Sequence, residues 1–581
     1  MLRRDFLSQS FGLSALSLGG QSVARAAPAA AIRVVIVESS TTRKFFDTNL
    51  GKYDAVLAPW RSFATRQKLT IDTISTDQVK TLKPGSVAIL PSAVALTERE
   101  RADLEAAALR GVNLLATWAF APRDASGTWL GYGLMKALFD AEVVGDIKAD
   151  SDERFLQTFA ESPITHSLPP AKRVFLGKAA EPLLRATTSN PVARFSDWMR
   201  SAHKESVNHY AASYLEAGSS RRVWLGFPES SWETAQADID LMLLDTLNWL
   251  QRKPVAVISN WPAPFQSAFL LEMDTEDKFP NAVLFEEELT KRSLRGTFYC
   301  LTEQATKFPD IVKKLAQNHE IAYHADIHTG FRGQDLATQQ ARLQKMIQEM
   351  GKLIPDSKLA TGFRAPLEEF DATTDILLRK LGLRHHAATP DFADIAAPMF
   401  SKAEPGLSTE DALVLFPRTM LDDVNFQRMG LLEKSLAGLI VNSAKTVMDA
   451  RGFGLVSLHT QNYGTGSALQ REVPKLLDFL AAQKGRTWIA SGDQLERWWR
   501  EKHRLSTTIN QMGTQMDIKL TVSAPGQVRN AQMILMSPVI NQTPKVLASV
   551  GARLQKLDEQ RHALIFPELK AGIHSIRVSF A

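Results

Sequence analysis

The stretch Glu320-Ile321-Ala322-Tyr323-His324-Ala325-Asp326-Ile327-His328-Thr329-Gly330 carries an apolar run into two histidines four residues apart, with an acid between them and a Thr-Gly turn behind. Imidazole is the commonest metal ligand, and paired histidines leaving a strand end can take two corners of a coordination sphere. A zinc-peptidase helix would place Glu directly after the first histidine to act as base, and this chain has Ala325 there. A base and a further ligand must therefore come from elsewhere. About fifty residues upstream, Met273-Asp274-Thr275-Glu276-Asp277 packs three carboxylates at the end of the apolar run 268–271. Two surface histidines beside a solvated acidic turn are the plain alternative; the downstream motifs weigh against it.

Around this stretch, strand-like runs recur with helices between them, at 268–273, 296–300, 319–323, 360–363, 412–416, 454–458 and 487–490. Such repetition over residues 265–503 predicts an α/β barrel, distorted in its repeats, whose chemistry collects at the carboxyl ends of the strands. Cys300, within Thr297-Phe298-Tyr299-Cys300-Leu301, is expected to be a buried core thiol, and as the only cysteine it forms no disulfide within the chain. Trp498 and Trp499 sit at helical spacing with Leu495 in a helix expected over 494–503, and read as core. His319 is expected to cap the helix before the histidine stretch, and His385 and His386 read as structural or loop residues.

On the amino-terminal side, residues 32–253 alternate buried runs with helices. Val34-Val35-Ile36-Val37 and Ser86-Val87-Ala88-Ile89-Leu90 read as strands, and Thr97-Glu98-Arg99-Glu100 has the form of a capping box opening a helix to about Leu109. The run 111–117, the run 222–227 and a helix over 235–250 continue the rhythm, which predicts a flavodoxin-like three-layer α/β domain. It resembles the glutamine-amidotransferase-like fold, as in the trimerisation domain of some β-galactosidases. No cysteine nucleophile occurs there, so a structural or partner-binding version is expected, with a homo-oligomer through this domain as one option. Pro254, Pro262 and Pro264 mark a linker. The tail, 506–581, alternates polar and apolar residues between Gly and Pro turns and predicts a small β-sandwich.

The chain has 581 residues, 44% hydrophobic and 23% charged, with a formal net charge of +5. That balance argues against disorder, and the absence of a basic stripe argues against nucleic-acid partners. Met1-Leu2-Arg3-Arg4-Asp5-Phe6-Leu7, a modestly apolar segment and Ala24-Arg25-Ala26 read as a twin-arginine signal peptide over 1–26, which implies a periplasmic or secreted protein. No later window offers a transmembrane span.

Taken in order, the central motifs resemble the polysaccharide deacetylases of carbohydrate esterase family 4, which share the NodB homology domain. The resemblance rests on Gly296-Thr297-Phe298-Tyr299, Phe308-Pro309-Asp310-Ile311-Val312, His319 to His324 with His328, then Phe363-Arg364-Ala365-Pro366 and Leu455-Val456-Ser457-Leu458-His459. It covers about 240 residues and implies metal-dependent removal of acetyl groups from N-acetylhexosamine units of a polysaccharide, with a divalent ion, Zn2+ the first expectation. The resemblance further implies Asp274 as base, Glu276, His324 and His328 as metal ligands, Arg364 as the partner that orients the base, and His459 as acid. The family's usual adjacent aspartates are replaced here by Asp274-Thr275-Glu276-Asp277, so Glu276 as base with Asp277 as ligand is a second register. On an extended chain Asp274 and Glu276 point the same way and Asp277 the opposite way, which favours the first. The acid that should support His459 is poorly matched; Asp391 or Asp394 is the candidate. A hydrolase of a non-sugar C–N bond on the same fold, or a catalytically silent glycan-binding or assembly protein, are the rivals.

Overall fold

A computed structural model of the chain describes residues 32–177, 181–197, 206–354, 360–390, 394–430, 436–548 and 551–580. The signal-peptide motif and Asp391 lie outside the described residues. Three sheets organise the rest.

In the amino-terminal sheet, Asp72–Ser75, Val34–Glu38, Val87–Leu90, Asn113–Thr117 and Ser220–Leu225 run parallel in that order. Val87–Leu90 and Asn113–Thr117 are buried at every residue, as strands covered on both faces must be. The capping box forms as expected: Thr97 accepts from the Glu100 N–H at the head of Glu98–Leu109. The parallel order covers only half of the sheet, however. Ala212–Ala217, Pro191–Ser196, Phe155–Thr158 and Arg173–Phe175 extend it antiparallel, and this extension abuts the central unit. Arg173 pairs there with Asp394 at 3.0 Å.

The central sheet runs Met399–Phe400, Val414–Phe416, His385–Ala387, Gly362–Phe363, Glu320–Ala325, Thr297–Leu301, Ser267–Thr275 and Phe453–His459, with Thr487–Ala490 beside the start of Ser267–Thr275. All are parallel except Met399–Phe400. His385 and His386, read from the sequence as structural or loop residues, lie on a strand of this sheet, where each imidazole has one carboxylate partner. His385 lies 2.8 Å from Glu320 and His386 2.9 Å from Asp375. Among the described residues no backbone ladder closes the ring between Val414–Phe416 and Phe453–His459. Side chains span the gap instead: Thr419 Oγ1 accepts from Leu455 N at 3.1 Å and Asp423 Oδ2 from His459 N at 3.0 Å.

The tail is built on two long strands, Gln515–Met536 and Arg561–Ser579, which pair antiparallel with a register break between Val522 and Gln527. One half of this ribbon is flanked by Leu505–Met512 and Lys545–Ala548, the other by Val255–Ile258 and Arg553–Lys556. Val255–Ile258 comes from the proline-marked segment, so that segment is a strand of the carboxy-terminal sheet rather than a free linker. Both halves share one apolar cluster with Trp261, Trp498 and Trp499, the last two on Gly492–His503.

His319 is the C-cap of Pro309–Asn318, its backbone N–H donating to Leu315 O, and its ring Nδ1 accepts from Gly296 N at 3.2 Å. Burial pushes its pKa down to about 4, against the pull of Glu286. The unfolded state therefore binds more protons than the folded one between pH 6.5 and 4, and stability falls as pH drops through that window. Complete protonation costs roughly 3 kcal/mol. Denaturant titrations at pH 7 and pH 4.5 should show a smaller loss in His319→Gln than in the parent.

Candidate functional site

Each candidate side chain stands at the carboxyl end of a central strand. On Ser267–Thr275 the pleat sends Glu272 and Asp274 to one side, and the chain leaves the strand so that Glu276 follows them. Thr460, next to His459 on the neighbouring strand end, clamps this turn: its Oγ1 accepts from Glu276 N at 3.0 Å and donates to Asp277 O at 2.9 Å. Asp277 faces solvent.

On Glu320–Ala325, the pairing with Thr297–Leu301 slips where His324 stands, so Cys300 meets Tyr323 and Leu301 meets Ala325. Ala325 takes φ 137° at this bulge. Bulges re-aim side chains at the ends of strands, and this one belongs to that class. Asp326 does not join the histidines; Arg342 Nε donates to it at 2.9 Å, while Arg342 Nη1 and Nη2 hold the carbonyls of Gly330 and Thr329. That guanidinium fixes the loop on which His328 stands.

Three groups converge. Glu276 Oε1 lies 3.1 Å from His324 Nε2 and 2.9 Å from His328 Nε2, and Glu276 Oε2 accepts from Gln461 Nε2 at 2.5 Å. Burial opposes ionisation of Glu276, but the hydrogen bonds with His324 and His328 and the nearby His459 charge hold its carboxyl far below the usual range. His324 Nδ1 is 3.0 Å from the Arg364 carbonyl and must carry a proton to bond to it. Nε2 of the same ring faces Glu276.

Beside this cluster, Arg364 Nε donates to Asp274 Oδ2 at 2.8 Å, and His459 Nε2 is 3.5 Å from the same oxygen. Asp274 is 1% exposed, and its Oδ1 has no hydrogen bond among the described residues. Arg364 also lies 3.0 Å from Glu272 and 3.2 Å from Glu368. Glu272 is fully buried; burial and the Asp274 charge push its carboxyl up to about 7, against the pull of Arg364. His459 Nδ1 is 2.6 Å from Asp423 Oδ1. Burial would lower the His459 pKa, but Asp423, Asp274 and Glu276 together push it up to about 10, which keeps the ring charged at neutral pH.

The structure thus brings Asp274, Glu276, His324, His328, Arg364 and His459 to the wall of one cleft of about 390 Å³, with only the His324 ring set fully behind it. Leu367 and Glu368 take left-handed backbone at its rim, φ 60° and 54°, where strain is characteristic of a functional edge. One expectation is corrected. The acid supporting His459 is Asp423, not Asp394, which is occupied by Arg173. Glu272, an acid inside an apolar strand, was not anticipated. The signal for Asp423 lay in Asp422-Asp423 shortly after the apolar run 414–416, where Asp422 caps the helix Asp423–Arg428.

Residues 282–386 match the family model described as polysaccharide deacetylase, a span that holds His324, His328 and Arg364. No curated protein matches the chain. Among solved structures, a putative polysaccharide deacetylase from Mycobacterium smegmatis is 19% identical, with 44% of this chain and 98% of that one covered at a TM-score of 0.37. A probable polysaccharide deacetylase from Pseudomonas aeruginosa is 14% identical, covering 42% and 94% at 0.35. Agd3, described as a novel carbohydrate deacetylase, is 10% identical and covers 94% and 98% at 0.42.

Proposed function

We propose that this chain is an exported, metal-dependent deacetylase that hydrolyses the N-acetyl groups of N-acetylhexosamine units in an extracytoplasmic polysaccharide. The observation that carries the proposal is the convergence of Glu276, His324 and His328 beside a buried carboxylate, Asp274, with one oxygen to spare. Export rests on the sequence of residues 1–26; no helix among the described residues is long and apolar enough to cross a membrane.

The donor set fits a divalent cation. Two imidazole nitrogens and a carboxylate oxygen within 4.8 Å of one another suit zinc, and both histidines turn Nε2 toward that carboxylate. A cation held there supplies Lewis acidity, which makes water a stronger acid and the acetyl carbonyl a stronger electrophile. Asp274 Oδ1 accepts the proton of the attacking water, while Arg364 Nε holds Oδ2 in place. Water oxygen bonds to the acetyl carbon and the C–N bond breaks. His459 delivers its Nε2 proton to the departing amine, which leaves acetate and a free amino sugar. Asp423 fixes the Nδ1–H tautomer of His459 and aims Nε2 at the cleft.

Acetate release from a panel of N-acetylated glycans, with and without chelator, tests the proposal. Release should vanish on metal stripping and return with zinc; release that survives stripping would refute it. Tight glycan binding with neither metal nor acetate release would favour a silent binding protein, and release from non-sugar amides alone would favour the other C–N hydrolase. Asp423→Asn should slow acetate release by about 10²-fold, the lower end of what general acid catalysis contributes, with metal content unchanged.

A further inference from the structure

Where the three sheets meet lies a second cavity, of about 320 Å³. Ser267 and Thr487 line it from the starts of their strands. Asp274 stands seven residues along the same strand, so this cavity and the cleft are about 23 Å apart. Tyr210 and Tyr214 contribute from the amino-terminal unit, Arg451 and Arg486 from the central one, and Arg561 from the tail.

The charges in this cavity do not balance. Arg561 is answered by Asp558, and Asp449 by Arg194 at 2.7 Å. Arg451 and Arg486 form no close ion pair among the described residues, although the Glu161 and Asp558 carboxylates act on Arg451 at longer range. Arg451 is nevertheless held: its Nη1 donates to Ala160 O at 2.6 Å and Glu161 O at 2.9 Å, which leaves Nε and Nη2 unclaimed. Burial and the neighbouring Arg561 charge push its pKa down to about 10. Arg486 Nε donates to Gln483 at 2.9 Å, and its two terminal nitrogens are unused. Guanidinium groups on one cavity wall with nitrogens free of an ion pair favour a carboxylate, which they can bind with two parallel hydrogen bonds. Of the polar lining, the amides of Asn190 and Gln266 suit hydroxyl groups, while Ser189 is bonded to Asp140 and Ser267 to Thr487. Tyrosine rings offer an apolar face to the C–H side of a pyranose.

We propose that this cavity is a second saccharide site, which takes a sugar residue bearing a carboxylate. Calorimetry on the full chain with D-glucuronate, D-glucose and inorganic phosphate tests it. Glucuronate should bind, more weakly as salt rises, while glucose at the same concentration should not. Arg486→Glu, on an exposed side chain whose loss leaves the core untouched, should weaken glucuronate at least tenfold. Equal binding of glucose and glucuronate, an unaffected Arg486→Glu variant, or phosphate binding as tightly as the uronate would each overturn the proposal. The readout is binding alone, so it stands or falls separately from acetate release at the cleft.

Discussion

Asp274→Asn is expected to slow acetate release by about 10²–10⁴-fold while the purified variant keeps its full complement of divalent ion. The amide has the shape of the carboxylate but cannot take the water proton. Arg364 stays in place, because Glu272 and Glu368 remain to pair with it. The companion variant Asp277→Asn separates the two registers left open by the sequence. Asp277 faces solvent, so its loss should change rate and metal content by less than about twofold. A variant at Asp277 that loses its metal, with Asp274→Asn fully active, would transfer the roles to Glu276 and Asp277.

The second large effect belongs to His324. In His324→Ala the metal content measured on purified protein should fall to a small fraction of one ion per chain, and acetate release by about 10³-fold or more. The ring is 1% exposed and is fixed from behind by the Arg364 carbonyl, so no neighbouring group can swing in to replace it. His328 is the weaker-held partner: 35% of its side chain is exposed, and it stands on a loop. His328→Ala should therefore bind metal more loosely yet recover part of its activity when excess zinc is added. Full metal occupancy in His324→Ala would remove the cation from the position argued above.

Much of the site was legible because it is written in local order. Histidines at the end of an apolar run, an arginine two residues before a proline, and a histidine closing Leu455-Val456-Ser457-Leu458 each mark the end of a strand, where a parallel sheet gathers its chemistry. The preference for Asp274 with Glu276 followed from the pleat alone. What the order could not show was partnership at a distance. Asp423 reaches His459 across a gap that has no backbone ladder, and a contact of that kind leaves no periodicity in the chain. The order alone leaves His385 and His386 as structural or loop residues; they are strand, each imidazole paired with one carboxylate, Asp375 from the helix just before and Glu320 from far upstream. The same blindness affected Val255–Ile258, a short apolar run among prolines whose pairing partner lies almost three hundred residues downstream.

That last strand bears on how the protein can be dissected. The central unit is fastened on both sides to one carboxy-terminal sheet, through Val255–Ile258 before it and Leu505–Met512 after it, with Trp261, Trp498 and Trp499 sealed between. Excising residues 265–503 would leave two of those tryptophans uncovered and take away the third, together with the ribbon that shelters them. A truncated chain cut at the apparent linker would carry every candidate site residue and still tend to aggregate. The smallest soluble fragment with activity should begin before Val255 and run to the end of the long ribbon.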